Sequence, residues 1–339
     1  KTFLALGLSL RLAEEGYRVG YCKPLGKTPV KKGRDVFDAD AVFIKEALSL
    51  PEHLQAISPF VLTFESQNLL LEGKLKGLKG RVIEAIRSQE DRDVVIVGGP
   101  GDLFEGASLE IDPLSLMEEM EAKAVAVEAW MGDVSVDSLL GMKRLLGEGF
   151  AGGIINKVPK SAVAHVQKRV RPFLEARGVR VLGVFAKDTL LEAISARELN
   201  EILNGKILCC ESGLDEYVEH FLIGAMDVDS ALNYFRRTPN KAVITGAHRT
   251  DIQLAALETS TRCLILTGGL HVNAMVVGKA QALGIPIISV ASDTFTTIDT
   301  IESAIGKTRI REKGKIERIR ELMKKEFDLE GFLKAARVR

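Results

Sequence analysis

The residues with the most chemical content stand at the front of the chain. Lys1-Thr2 opens a run in which Leu4, Leu8 and Leu12 recur at helical spacing, and Gly16 ends it before Tyr17-Arg18-Val19-Gly20-Tyr21 turns extended. A lysine and a hydroxyl at the first turn of a helix suit a phosphate ester: helix-start N–H groups hold phosphate oxygens, the ammonium reaches the terminal phosphates, and the hydroxyl meets a divalent cation. Lys23-Pro24 closes the extended run, and a polar loop with Lys27, Lys31, Lys32 and Arg34 leads to Asp35, Asp38 and Asp40. Those lysines either border a phosphate-bearing ligand or make a solvated loop. The apolar run 94–97 ends on Gly98-Gly99-Pro100-Gly101, followed by Asp102 and Glu105. Open α/β sheets bind ligands at the carboxyl ends of their strands, which makes Gly99 and Gly101 candidate binding positions.

In the back half, His248-Arg249-Thr250-Asp251 and Thr267-Gly268-Gly269 each follow an apolar run, and His271 and Asp293-Thr294 lie at neighbouring strand ends. Arg249 can grip a phosphate through a bidentate fork, or it can pair with Asp251 while Asp251 caps the next helix. Gly268 and Gly269 allow close backbone approach, which serves a ligand or a packing contact. The five histidines are dispersed, and neither G-x-S-x-G nor H-E-x-x-H occurs, so no nucleophile and base stand out as a pair.

The elements that must position these groups alternate. Buried strands are expected at 93–97, 124–129, 151–155 and 179–184, the first as a central strand covered on both faces. Helices are expected at 39–48, 138–148 and 162–177, with a longer amphipathic stretch over 69–87. Strands alternating with helices give right-handed crossovers and an α/β fold with a doubly wound parallel sheet. Ser195 with Glu198 forms a capping box inside 190–203, which is expected to be a hinge. Beyond a helix at 229–235, three strand-turn units cover 242–251, 263–269 and 284–290, a smaller α/β domain. The charge-dense run 307–325 keeps Ile316, Ile319, Met323 and Phe327 on one stripe, which suits a docking helix or an oligomer contact better than a nucleic-acid arm. The expected organisation is therefore a first domain over 1–188, a hinge at 189–205, a second domain over 206–306 and a C-terminal amphipathic helix over 307–339.

Composition sets the outer limits. A chain of 339 residues with 46% hydrophobic content supports two cores. Lys+Arg and Asp+Glu balance at 46 each, so bulk charge favours neither nucleic acid nor membrane as a partner. Cys22, Cys209, Cys210 and Cys263 lack the spacing of a zinc site or disulfide framework, and a reducing cytoplasmic setting is expected. No apolar run approaches the roughly 18 residues that cross a bilayer, and no basic-then-apolar leader opens the sequence.

These motifs also carry a resemblance. Gly16-Tyr17-Arg18-Val19-Gly20-Tyr21-Cys22-Lys23-Pro24 resembles the second strand of the dethiobiotin synthetase family, which ends on Lys-Pro beside the phosphates. Asp35-Val36-Phe37-Asp38-Ala39-Asp40-Ala41 is similar to that family's Asp-Ala helix start, and Gly152-Gly153-Ile154-Ile155-Asn156-Lys157-Val158-Pro159 to its adenine-contacting strand. The resemblance implies a P-loop domain in which Lys1 and Thr2 end the pattern G-x-x-x-x-G-K-[S/T], with the first strand and most of that loop expected ahead of Lys1. It implies ATP and Mg²⁺ as cofactors, Lys1 and Lys23 as catalytic groups, Thr2 and Asp40 as metal ligands, and Asn156 at the adenine. One departure is Gly98, where the family places a glutamate.

The three later strand-turn units resemble the DRTGG domain, which sits behind a dethiobiotin-synthetase-like domain in phosphotransacetylases and inside some regulatory pyrophosphatases. Here His248 takes the place of the domain's first aspartate. Nothing in these residues matches an acetyl-transfer domain, so an acetyltransferase is not expected. The resemblance implies a Mg-ATP-binding protein whose DRTGG domain senses a small molecule such as an adenine nucleotide through Arg249, Thr267 and Gly268. The alternatives are an ATP-dependent ligase or kinase acting on a small carboxylate, and a non-catalytic subunit of a phosphotransacetylase-like enzyme. A sheet of only three strands is expected to pair with a copy of itself as a homodimer.

Overall fold

Helix α1 (Thr2–Glu14) buries Leu4, Leu6, Leu8, Leu10 and Leu12, a pattern apolar on more than one face and therefore that of an interior helix. In this computed structural model, which describes residues 1–269, 271–305 and 313–338, the chain divides into two compact units. One comprises Lys1–Lys187 with the C-terminal segment, and the other begins at Asp188. Gly16, at φ 92°, ends α1 in a conformation that a residue with a Cβ rarely adopts.

In the first unit, β1 (Val19–Cys22) is buried along its whole length. The polar loop expected after it is a hairpin, with β2 (Pro29–Lys32) antiparallel to β3 (Asp35–Asp38). Gly33 supplies the positive φ at its tip, and strand pairing satisfies a backbone whose side chains are mostly in water, Phe37 and Asp38 being buried. Helix α2 (Ala39–Leu48) begins where Asp38 accepts from the N–H groups of Asp40 and Ala41. The single amphipathic stretch expected over 69–87 is two helices, Phe64–Leu71 and Leu78–Arg87, because Gly73 and Gly77 both take positive φ between them.

Strand β4 (Val94–Val97) runs parallel to β1, while β5 (Ala124–Ala129), β6 (Phe150–Val158) and β7 (Val181–Ala186) form a second parallel set. The helix expected over 162–177 is continuous but contains a π-turn over Val166–Val170, just ahead of Pro172. Parallel strands joined through helices make this unit an α/β domain, as expected. The C-terminal stripe docks within this unit: in the helix Lys313–Glu326, Ile319 and Met323 are buried, and a Cβ on Gly7 of α1 would lie 2.5 Å from Met323 Cγ. Residues 307–312 of that run lie outside the described residues.

The second unit opens with β8 (Ile194–Ser195), β9 (Lys206–Cys209), β10 (Tyr217–Val218) and β11 (His220–Ile223), then β12 (Lys241–Gly246), β13 (Thr261–Thr267) and β14 (Ile287–Ser289). Its sheet has five strands in the order β11-β12-β13-β14-β9, with β9 antiparallel, and not the three expected. The two extra strands are four residues each, too short to separate from buried helix by periodicity. Alternation fills a core on either face: Val243, Leu264 and Leu266 on one side, Ala242, Ile244, Cys263 and Ile265 on the other. The segment expected as a hinge is part of this unit, since β8 pairs with β10 and the helix Ala196–Leu203 buries Ala196 and Leu199 in the second core.

Lys241 is fully buried at the start of β12, where its ammonium donates to Ser260 O at 3.0 Å and lies 5.7 Å from the Phe235 ring. Burial lowers its pKa to about 8. Because the folded value lies below the unfolded one, the unfolded state binds the proton more readily between those values, and stability should rise from about pH 8 towards pH 10. Lys241→Met is expected to abolish that rise and to stabilise the unit by about 1–3 kcal/mol at pH 7, read from urea midpoints at several pH values.

Candidate functional site

The first turn of α1, the end of β1 and the start of α2 bring four polar side chains together. Thr2 Oγ1 donates to Asp40 Oδ2 at 2.9 Å, and Lys23 Nζ donates to the same oxygen at 3.0 Å. Lys23 also lies 2.8 Å from Asp38 Oδ1, whose carboxylate is fully buried. Asp38 Oδ2 accepts from the N–H groups of Lys27 and Thr28, so this one residue ties the hairpin, the helix and the strand end together. Burial alone would lower the Lys23 pKa, but Asp40 and Asp38 outweigh it and raise it. The converse holds for Asp38, where burial acts upward and the Lys23 charge brings the value down. The pair is therefore ionised on both sides.

Lys1 lies at the carboxyl end of β4, donating to Pro100 O at 2.6 Å and to Gly101 O. Gly101 N–H donates to Glu105, which also pairs with Lys27, so the glycine-rich turn is held from both sides. Burial lowers the Lys1 pKa against the opposing charges of Asp102 and Glu105. A cavity of about 1070 Å³ opens beside Lys1, Thr2, Lys23, Gly99 and Gly101. Asn156 does not line it: it stands at the carboxyl end of β6 in register with Ala129, its side chain accepting from the Lys157 N–H.

Two groups escaped the sequence reading. Glu128 lines the same cavity, and burial raises its pKa against a hydrogen bond with Ser138 and the charge of Lys1. A single acid in the otherwise apolar run 124–129 was its only signal. Tyr21 is the other. A Cβ at Gly98 would lie 2.5 Å from Tyr21 Oη and 3.2 Å from Cζ, so a buried ring occupies the space that a side chain at position 98 would need. Gly98→Ala is expected to cost about 1–3 kcal/mol, and less in a Tyr21→Phe background, as a double-mutant cycle of urea midpoints would show.

In the second unit the candidate groups are engaged with one another. Arg249 makes a two-pronged pair with Asp251, both contacts at 3.0 Å, and donates to Met226 O at 3.0 Å. The expected pairing forms, but Asp251 does not cap the helix Thr250–Leu257. Thr267 Oγ1 shares a 2.8 Å hydrogen bond with Thr294 Oγ1. Gly268, at φ 91°, donates its N–H to Ser292 O, and Gly269 donates to Val290 O. These glycines close a turn against the end of β14.

Comparison with known proteins agrees with this two-part organisation. A family described as AAA domain matches residues 1–195, and one described as DRTGG domain matches residues 198–304. A phosphate acetyltransferase of Synechocystis sp. is 23% identical over 329 residues, 91% of this chain and 46% of the relative. An uncharacterized protein of Bacillus subtilis, YtoI, is 31% identical over 115 residues, 34% of this chain and 25% of its own. A solved structure of the CBS and DRTGG domains of the regulatory region of Clostridium perfringens pyrophosphatase, complexed with the activator diadenosine tetraphosphate, aligns with a TM-score of 0.32 at 16% identity. That alignment covers 57% of this chain and 78% of the other. The chain spans about half the length of the phosphate acetyltransferases it matches.

Proposed function

Since the chain belongs to the AAA domain family over residues 1–195, as a dethiobiotin-synthetase-like P-loop domain, and carries a DRTGG domain behind it, we propose that it is a cytoplasmic Mg-ATP-binding protein with a regulatory, ligand-sensing second domain. It would serve acyl- or phosphate-linked metabolism. The observation that carries the reading is the convergence of Thr2 and Lys23 on one oxygen of Asp40, with Thr2 and Lys23 lining the same cavity as Lys1.

The residues fit a magnesium ion. Thr2 and Asp40 are hard oxygen donors, and Asp40 is about one-third exposed, which leaves room for water. Mg²⁺ takes one or two protein oxygens and completes its shell with water and phosphate. That agrees with the lack, among the described residues, of any cluster of three or more His, Cys, Asp or Glu side chains able to hold a metal. The ion would supply charge neutralisation at the phosphates. Lys1 would exchange two carbonyl contacts for phosphate oxygens, and Lys23, kept charged by its aspartates, would face them. Asn156 is proposed for the adenine, and Arg249, Thr267 and Gly268 for the ligand of the second unit, where binding must displace Asp251 from Arg249.

Gly98 favours binding over chemistry. No carboxylate stands there to position a substrate or a second cation, and a site can hold the ground state without stabilising the transition state. Calorimetry should therefore show Mg-ATP binding that EDTA abolishes, with turnover well under about 1 per second. Turnover within the ordinary enzyme range of roughly 1 to 1000 per second, dependent on an added carboxylate, would sink this reading in favour of an ATP-dependent ligase.

A further inference from the structure

Tyr21 is held in place through its backbone and not through its hydroxyl. Its N–H donates to the Gln89 side-chain oxygen at 2.9 Å, and its C=O accepts from the Gln89 side-chain nitrogen at 3.2 Å, so one buried amide fixes the residue within β1. The side chain is only 2% exposed, yet among the described residues nothing donates to its hydroxyl or accepts from it. A buried hydroxyl without a partner costs free energy, and such groups are uncommon in folded proteins. Tyr21 lines the same cavity as Lys1, Thr2 and Lys23, which is where a partner from outside the chain would arrive.

The surroundings define what that partner can be. Strand alternation puts Tyr21 on the same face of β1 as Lys23. Gly98 donates its N–H to Cys22 O at 2.8 Å, and a Cβ on it would lie 2.5 Å from Tyr21 Oη, so the hydroxyl stands where a side chain at position 98 would begin. Burial, then the charges of Asp40 and Asp38, push the Tyr21 pKa well above the ordinary tyrosine value. The hydroxyl therefore keeps its proton and remains a donor. The nearby carboxylates are already engaged, Asp38 with Lys23 and Asp40 with Thr2 and Lys23. A carboxylate at position 98 would favour a cation or an amine. A neutral donor in a cavity that also presents the Lys1 and Lys23 ammonium groups favours the opposite sign of charge.

We propose that the Tyr21 hydroxyl is a ligand-binding donor that selects an oxyanion at the subsite beside Gly98, supplied either by the terminal phosphate of ATP or by the carboxylate of a second small molecule bound with it. This assignment rests on the nucleotide reading of the same cavity. Tyr21→Phe isolates the group, because the ring that fills the space beside Gly98 stays and only the oxygen goes. The ligand-free protein loses no hydrogen bond and sheds an unpaired buried hydroxyl, so its urea midpoint should stay level or rise. The liganded protein loses a hydrogen bond to a charged acceptor, which is expected to raise the Kd about ten- to a hundredfold.

The experiment titrates the unaltered protein and Tyr21→Phe calorimetrically with Mg-ATP, with Mg-ADP and, in the presence of Mg-ATP, with acetate, alongside urea melts of both. An ATP Kd raised about ten- to a hundredfold, with the ADP Kd within about twofold, assigns the hydroxyl to the terminal phosphate. Unchanged nucleotide affinities with acetate binding weakened by a similar factor assign it to a carboxylate. Unchanged nucleotide affinities with acetate unbound, or bound alike by both proteins, overturn the proposal. So does a loss shared equally by ATP and ADP, since the hydroxyl then does not meet the terminal oxyanion. A urea midpoint lowered in Tyr21→Phe also overturns it, because the hydroxyl is then structural. If the unaltered protein binds neither nucleotide, the nucleotide reading falls and inorganic pyrophosphate decides. Pyrophosphate binding weakened in Tyr21→Phe would keep the oxyanion subsite, and absent or equal binding would remove that as well.

Discussion

Lys1→Ala is expected to weaken Mg-ATP binding by roughly 2–4 kcal/mol, a 30- to 1000-fold rise in Kd, with little change in the unfolding midpoint. The asymmetry between the two readouts follows from the geometry. In the ligand-free fold the ammonium bonds the carbonyls of Pro100 and Gly101 at the protein surface, and water replaces those contacts readily. A phosphate in a partly buried cleft would lose a charge-assisted partner that water does not replace. Calorimetric titration paired with a urea melt measures both quantities. An unchanged Kd would refute the assignment of Lys1 to the phosphates.

Lys23→Met should produce the largest loss of stability, about 3–5 kcal/mol near neutral pH, because it strands the buried Asp38 carboxylate without its cation. The pH dependence identifies the cause. In the unaltered protein the Asp38 pKa is depressed, so its contribution is present above the unfolded carboxylate value of about 3.9 and is lost as pH falls through the lower folded value. Without Lys23 the folded value moves up, because burial is then opposed only by the N–H groups that hold the carboxylate, and the stability gained between acidic and neutral pH shrinks. Urea midpoints of the two proteins should therefore converge on acidification and separate towards neutrality. A constant difference from pH 3 to pH 7 would mean that Lys23 acts through packing and not through Asp38. Nucleotide binding cannot imitate that convergence, since the melts contain no ligand.

Much of the local structure was legible before any coordinates. Expected and observed bounds agree for α2 and for β5, and the Ser195 capping box forms as its spacing required. Each of these is written within a few consecutive residues, as a cap, a run of one period or a turn residue. The hairpin β2–β3 was not legible. Its side chains are mostly in water, so no apolar alternation marks it, and the pairing of 29–32 with 35–38 defines it. The extra strands β9 and β11 were missed for a related reason. Four residues carry too few periods to declare a strand, and the neighbours that bury them stand far along the chain: β14 for β9, β12 for β11.

At the candidate site the same division holds. The sequence alone placed Lys1-Thr2 at a helix start, Lys23 at a strand end and Asp40 at a helix start, because these are local statements about backbone N–H groups and charge. It also determined the two-part organisation, since strands and helices alternate through both halves. Only the tertiary structure decided that Asp38 is the buried partner of Lys23, that Tyr21 occupies the space beside Gly98, that Glu128 shares the cavity with Lys1, and that Arg249 is committed to Asp251. It also decided that β4 and β5 line one cavity. The physical reason is one of range. Capping, helix period and strand alternation are settled by hydrogen bonds and side-chain directions within a turn or two of chain, whereas burial, ion pairing and edge pairing depend on which distant surfaces the hydrophobic cores bring together.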